Sequence, residues 1–249
     1  MQEQEIVRLP TTEDRIAIIG QTGSGKTVGA LWHLSLMPVD TMRFLVIDFK
    51  REKYINAIPY AKQINIGDAM PTPGVYIIHP RPTVEDRKAV EDSLWNLLDE
   101  ENVGIFLDEG FMLKDDAAFE TILMQGRSKN IPVIVNAQRP VWLSRFVLSE
   151  SGFIQVFFVG DDRDKKTVSY FTPLFREKGN LTRLNGKVFS KLPKFHSWYY
   201  DVGEDKLFHF GSVPNIPIIM DTFERKLRPP ETLQNRVQIL GQRGKRVAI

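Results

Sequence analysis

The chain of 249 residues contains no cysteine. That excludes disulfides and thiolate metal sites, and it is compatible with a reducing compartment. Histidine is scarce too: His33, His79, His196 and His209 lack metal-ligand spacing and read as structural or exposed. Net charge is only +2, too small for a protein that coats nucleic acid over its whole surface. No apolar run approaches the roughly 20 residues of a membrane span. The opening MQEQEIVRLPTTEDR is acidic and polar, unlike a secretory signal or an Arg-rich transit peptide. Hydrophobic content of 42% is, by contrast, ample for a packed core.

The apolar runs RIAII (15–19), RFLVID (43–48), VYIIH (75–79), VGIFLD (103–108), IPVIVNA (131–137) and FIQVFFVG (153–160) are short and almost continuously hydrophobic. Such runs suit strands covered on both faces. Helical patterns fall between them, at 25–37, 84–98, 115–126 and 141–149, with Thr83 a candidate N-cap. Strand and helix in alternation predict an α/β fold with a mainly parallel central sheet flanked by helices. After Gly160 the pattern changes. DDRDKKTVSYF reads as a helix, WYYDVGEDKLFHF (198–210) as a hairpin turning at Gly203-Glu204-Asp205, and Pro214, Pro217, Pro229 and Pro230 as an extended exit. The four Trp read as packing residues, and alternate strand packing is preferred over base stacking for Tyr199 and Tyr200. The division expected is an N-terminal extension (1–12), a core (13–160), an appendage (161–223) and a basic tail (224–249).

The strand RIAII runs into Gly20-Gln21-Thr22-Gly23-Ser24-Gly25-Lys26-Thr27, a complete G-x-x-x-x-G-K-[ST] phosphate loop between a strand and a helix. Glycines let the backbone curl so that successive N–H groups face an anion, and the helix that follows adds its unpaired N–H groups. Lys26 is placed to meet the β- and γ-phosphates of ATP, and the Thr27 hydroxyl to hold Mg²⁺. A second Mg²⁺ anchor is expected at the end of a buried strand, and VGIFLD supplies Asp108. The adjoining Glu109 is placed to take a proton from water, which favours hydrolysis over transfer to a small acceptor. Gln138, at the tip of IPVIVNA, has an amide suited to both γ-phosphate and water. Arg127 precedes that strand and is the candidate for completing a neighbour's site; Arg139 and Arg145 compete for that role. Lys50, Arg51 and Lys53, then Lys114, then Arg163, Lys165 and Lys166 (the last three offset by Asp161, Asp162 and Asp164) are candidate DNA contacts, although each reads more readily as a solvated charged face.

Taken together, GQTGSGKT, FLVIDFKRE, GIFLDEG and GRSKNIPVIVNAQRP resemble the FtsK–HerA superfamily of DNA-pumping ATPases over about residues 13–160. The resemblance implies an additional-strand, catalytic-glutamate P-loop fold, a homo-oligomeric ring and ATP sites between subunits. It assigns phosphate and Mg²⁺ to Lys26 and Thr27, metal support to Asp108, water activation to Glu109, γ-phosphate sensing to Gln138 and a trans-acting finger to Arg127. With nothing large expected before the phosphate loop, the chain looks most like the genome-packaging ATPases of tailless, membrane-containing icosahedral viruses. The resemblance then implies movement of double-stranded DNA, with a capsid vertex or portal-like proteins as candidate partners, in the host cytoplasm or the virion. Two other classes stay open: an ATPase driving virion assembly, extrusion or secretion without threading DNA, and a small-molecule kinase.

Overall fold

A computed structural model describes residues 7–175, 183–184, 187–188 and 192–229. The chain runs β1 (Arg15–Ile19), α1 (Lys26–Leu36), β2 (Arg43–Asp48), α2 (Lys53–Asn56), β3 (Lys62–Gln63), β4 (Gly74–Ile78), α3 (Val84–Glu100) and β5 (Val103–Asp108). It continues through α4 (Ala117–Gln125), β6 (Val133–Ala137), α5 (Arg145–Ser149), β7 (Phe153–Val156) and α6 (Asp162–Phe171). The short strands β8 (Arg183–Leu184) and β9 (Lys187–Val188) pair with each other, and β10 (Ser197–Asp201), β11 (Lys206–Phe210) and α7 (Ile216–Leu227) follow.

Nine strands form one sheet in the order β11-β10-β7-β1-β6-β5-β2-β4-β3. From β7 to β3 every pairing is parallel, while β10 runs antiparallel to β7 and β11 antiparallel to β10. β6 lies between β1 and β5, the additional strand that the resemblance implied. One face buries Leu45, Ile105, Val135 and the apolar sides of α3 and α4. The other buries Ile16, Phe44, Phe106 and the apolar side of α1. Coverage on both faces explains why the strand sequences do not alternate.

Several boundaries move. FIQVFFVG pairs only as far as Val156, and residues 157–160 leave the sheet beside the phosphate loop, where Gln21 N donates to Phe158 O at 3.0 Å. The helix expected at 141–149 is a 3-10 turn at Pro140–Trp142 followed by α5, which Ser144 caps. The exit expected at 214–230 holds a 12-residue helix, α7. Pro217 sits in its first turn, where a missing N–H breaks no helical bond, and Asn215 caps it. Lys226 Nζ, near the end of α7, donates to Ser35, Leu36 and Met37 carbonyls at 2.8, 3.1 and 2.7 Å. It thereby satisfies the unpaired acceptors where α1 ends.

The expected hairpin forms at Val202–Asp205, and its strands extend the central sheet. Tyr199 and Tyr200 are buried there, whereas Trp142 is 50% exposed, against its reading as packing. Most of the basic tail, residues 230–249, lies outside the described residues.

Candidate active site

All seven parallel strands point their C-terminal ends the same way, and the sequence places its chemistry there. After β1 the chain bends through Gly23 (φ +78°) and Gly25 (φ +102°), conformations that L side chains rarely adopt. Gly25 is the residue before α1, and among the described residues no side chain caps that helix. Its first N–H groups therefore face the cleft without a side-chain acceptor, a cradle for an anion. Lys26 is 7% exposed. Burial pulls its ammonium below the ordinary range, while Glu109 and Asp108 push the other way.

β5 ends on Asp108, which is buried, and Asn136 of β6 stands directly opposite in the parallel register. Asn136 Nδ2 donates to Asp108 Oδ1 at 2.7 Å and to Thr27 Oγ1 at 3.4 Å. One amide thus ties strand carboxylate to loop hydroxyl. Burial lifts Asp108 to about 6, the Asn136 hydrogen bond lowers it, and Glu109 raises it further. A buried carboxylate beside a hydroxyl is a hard-oxygen pair suited to Mg²⁺. Among the described residues no cluster of three His, Cys, Asp or Glu can hold a metal alone. An ion here would need oxygens from a nucleotide as well, which is how Mg²⁺ is usually bound beside phosphates.

Glu109 follows with φ +64°, an unfavourable backbone for a residue with a Cβ. The bend ends the strand sharply and is followed by the 3-10 turn Gly110–Leu113. The Glu109 carboxylate is 2% exposed. Gln138 Nε2 donates to its Oε1 at 2.8 Å, and Lys50 Nζ donates to the same oxygen. Among the described residues no donor meets Oε2. Gln138 Oε1 in turn accepts from Thr22 Oγ1 at 2.9 Å, so the tip of β6 bridges the phosphate loop and Glu109.

Lys50 turns toward the cleft, a placement the sequence did not suggest. The buried Asp48 carboxylate accepts the backbone N–H groups of Lys50 and Glu52 at 3.1 and 2.8 Å. That turn carries Lys50 inward over Glu109. Thr22, Gly23, Gly25, Lys26, Thr27, Asp108, Glu109 and Gln138 all line one cleft of about 830 Å³, together with Lys50, Tyr54, Lys194 and Phe195. Gly20, Gln21 and Ser24 complete the loop beneath it; Ser24 N donates to Gln21 O at 3.1 Å.

Arg127 lies elsewhere. It is exposed in the turn Gly126–Lys129, before β6, whereas Gln138 follows that strand. At about 3.3 Å per residue, β6 separates them by about 16 Å, beyond the reach of its own subunit's cleft. Arg139 pairs with Asp164 at 2.6 Å and Asp161 at 3.3 Å and lies over the Trp142 ring. Arg145 is exposed at the start of α5. Arg51, Lys53, Lys114, Arg163 and Lys166 are exposed, and Lys165 pairs with Asp162.

Sequence reasoning missed Asn136 and the inward turn of Lys50. Asn136 had a signal, a lone amide within the otherwise apolar strand VIVNA; Lys50 had none that distinguished it from its basic neighbours.

No protein-family profile matches the chain. Over 228 residues it is 39% identical to the DNA packaging ATPase P9 of Enterobacteria phage PRD1, spanning 91% of this chain and 99% of that one. The chain belongs to this family of phage DNA-packaging ATPases. Among solved structures it resembles the genome packaging NTPase B204 of Sulfolobus turreted icosahedral virus 2 in complex with ATP-γS. There the TM-score is 0.63 at 14% identity, over 82% of this chain and 100% of that one. It also resembles ATPases 2 and 3 of EccC from Thermomonospora curvata, with a TM-score of 0.52 at 12% identity over 88% and 43% of the two chains. These last two likenesses concern the fold. No helix among the described residues is long and apolar enough to cross a membrane.

Proposed function

We propose that this ATPase hydrolyses ATP to drive double-stranded DNA into a preformed viral capsid, acting as a homo-oligomeric ring. The observation that carries the hydrolytic part is the convergence of Lys26, Thr27, Asp108, Glu109 and Gln138 on one cleft. The DNA-packaging part rests on the phage relative, which matches along nearly its whole length.

In this reading the loop N–H groups and Lys26 bind the β- and γ-phosphates. Thr27 and Asp108 would hold Mg²⁺, which when bound neutralises charge between those phosphates. Glu109 orients a water through Oε2 and takes its proton as the oxygen attacks the γ-phosphorus; the bond to the bridging oxygen breaks, releasing ADP and phosphate. Gln138 holds Glu109 to the phosphate loop through Thr22, so loss of the γ-phosphate is felt at the tip of β6. Arg127 would reach a neighbour's cleft and neutralise charge in the transition state. Such a ring needs a heterologous contact, one face of a subunit against a different face of the next. The ring, the capsid vertex and the placement in host cytoplasm or virion follow from the same reading.

The test is ATP turnover by size-fractionated oligomers with and without duplex DNA. The proposal expects DNA to raise turnover, with binding that weakens steeply as salt rises. Turnover indifferent to DNA would favour an assembly or extrusion ATPase instead. For Arg127, mixing Arg127→Ala with Lys26→Ala chains should restore activity, since each supplies what the other lacks.

A further inference from the structure

The cleft that holds Lys26 and Glu109 has an aromatic wall that the reaction above leaves unused. Lys194 and Phe195 enter it from the loop before β10, beside Thr22, Gly23 and Gly25. The Phe195 ring is 45% exposed, so burial does not account for it. Its backbone has φ +68°, a left-handed conformation that is an outlier for a bulky residue. A tight turn maintains it, with His196 N donating to Pro193 O at 3.1 Å. Phe195 also abuts the phosphate loop: a Cβ built on Gly25 would lie 3.1 Å from its Cδ1.

Strand order gives the cleft a direction. Asp108 and Glu109 follow β5, two places from β1 on one side; β7 and β10 lie on the other. A nucleotide whose terminal phosphate faces Glu109 therefore carries its nucleoside end toward the β7–β10 side, where Phe195 stands. The same ring borders a smaller cleft of about 240 Å³, which shares Thr22, Gly23, Lys194 and Phe195 with the larger one. Its farther walls are Phe158, Leu192, Pro193 and His196. Phe158 is 56% exposed, so two open aromatic rings flank this space. The competing aromatic, Tyr54, belongs to α2 on the β2 side, away from β7 and β10.

The geometry points to Phe195 as the platform on which the nucleobase of the bound nucleotide stacks. Lys194, its ammonium 4.9 Å from the ring centroid, adds positive charge beside the sugar-proximal phosphate. This deepens the nucleotide-hydrolase reading and rests on it. Stacking uses the π-face that every base has, and each such contact contributes enough that its removal is measurable.

The experiment is calorimetric titration of the full chain with Mg²⁺ and either AMPPCP or inorganic tripolyphosphate, which has phosphates but no base. Phe195→Ala should weaken AMPPCP binding about five- to hundredfold and leave tripolyphosphate binding unchanged, which also reports an intact fold. Phe195→Trp should keep AMPPCP affinity near wild type, and Tyr54→Ala should lower it less than Phe195→Ala does. Wild-type AMPPCP affinity in Phe195→Ala would overturn the platform while leaving the hydrolase reading standing. An equal loss of both ligands would overturn it as well, since that would be damage to the phosphate loop. A wild-type chain that binds neither ligand would overturn the hydrolase reading, and the platform with it.

Discussion

Gln138 bridges Thr22 and Glu109, accepting from the loop hydroxyl at 2.9 Å and donating to the carboxylate at 2.8 Å. The bridge holds Glu109 at the angle its left-handed backbone sets, and it is made of side chains 116 residues apart in sequence. Gln138→Ala should therefore leave ATP affinity within a few-fold of wild type and lower turnover by about 10²-fold, the lower end of what a positioned general base contributes. Equilibrium binding beside single-turnover hydrolysis separates the two. A rise in Kd with unchanged turnover would mean that Gln138 merely helps to bind.

Lys50 shares Glu109 Oε1 with Gln138 and is itself held by the turn around Asp48. We predict that Lys50→Ala lowers kcat about tenfold or more, because a carboxylate free to swing loses its near-attack geometry. Lys50→Arg should not restore it, since a planar fork does not reproduce a point contact. Full activity in Lys50→Ala would return Lys50 to the exposed basic group from which the sequence did not separate it.

Asn136 orients both proposed metal ligands. Partners of this kind, when removed, typically cost about 10–100-fold in metal affinity. Asn136→Ala should raise the Mg²⁺ concentration needed for half-maximal turnover by that order while saturating Mg²⁺ recovers most of the rate. An unchanged Mg²⁺ requirement would show that the amide acts only in packing.

His33 offers a pH test far from the chemistry. Its imidazole is buried on α1, Nε2 lies 2.8 Å from Gln155 Oε1, and Gln155 Nε2 donates to Ser197 Oγ at 2.8 Å. Burial pulls it down to about 4, with the Gln155 contact opposing. The folded value lies below the unfolded one of about 6.5, so its stabilising contribution is complete above pH 6.5 and is lost as pH falls toward 4. Between pH 7.5 and 5 the wild type should lose about 2 kcal/mol more than His33→Gln in denaturant unfolding. The comparison is made as a difference because Asp108 and Asp116, lifted by burial to about 6, shift stability oppositely over the same range.

Much of this was legible in the sequence. β1, β2 and β5 have the expected bounds because buried parallel strands are marked by hydrophobicity alone. Asp108, Glu109 and Gln138 end or follow β5 and β6, and Lys26 and Thr27 open the helix after β1, so all five meet at the C-terminal edge of the parallel sheet. The losses have physical causes. α7 was hidden by Pro217, which breaks a helix interior but suits a first turn. Asn136 faces Asp108 only through the β5–β6 register, and Phe195 reaches Gly25 across 170 residues of chain; neither contact leaves a local pattern. Arg127, exposed in the turn before β6, lies at the end of that strand away from Gln138.

The central claim is that a carboxylate next to the cation's anchor removes a proton from water at a bound triphosphate. Hydrolysis by Glu109→Gln, measured at saturating Mg²⁺-ATP together with ATP affinity, tests it most directly. The account predicts binding close to wild type with turnover down by about 10²–10⁴-fold. Turnover within a few-fold of wild type, with ATP still bound, would contradict it.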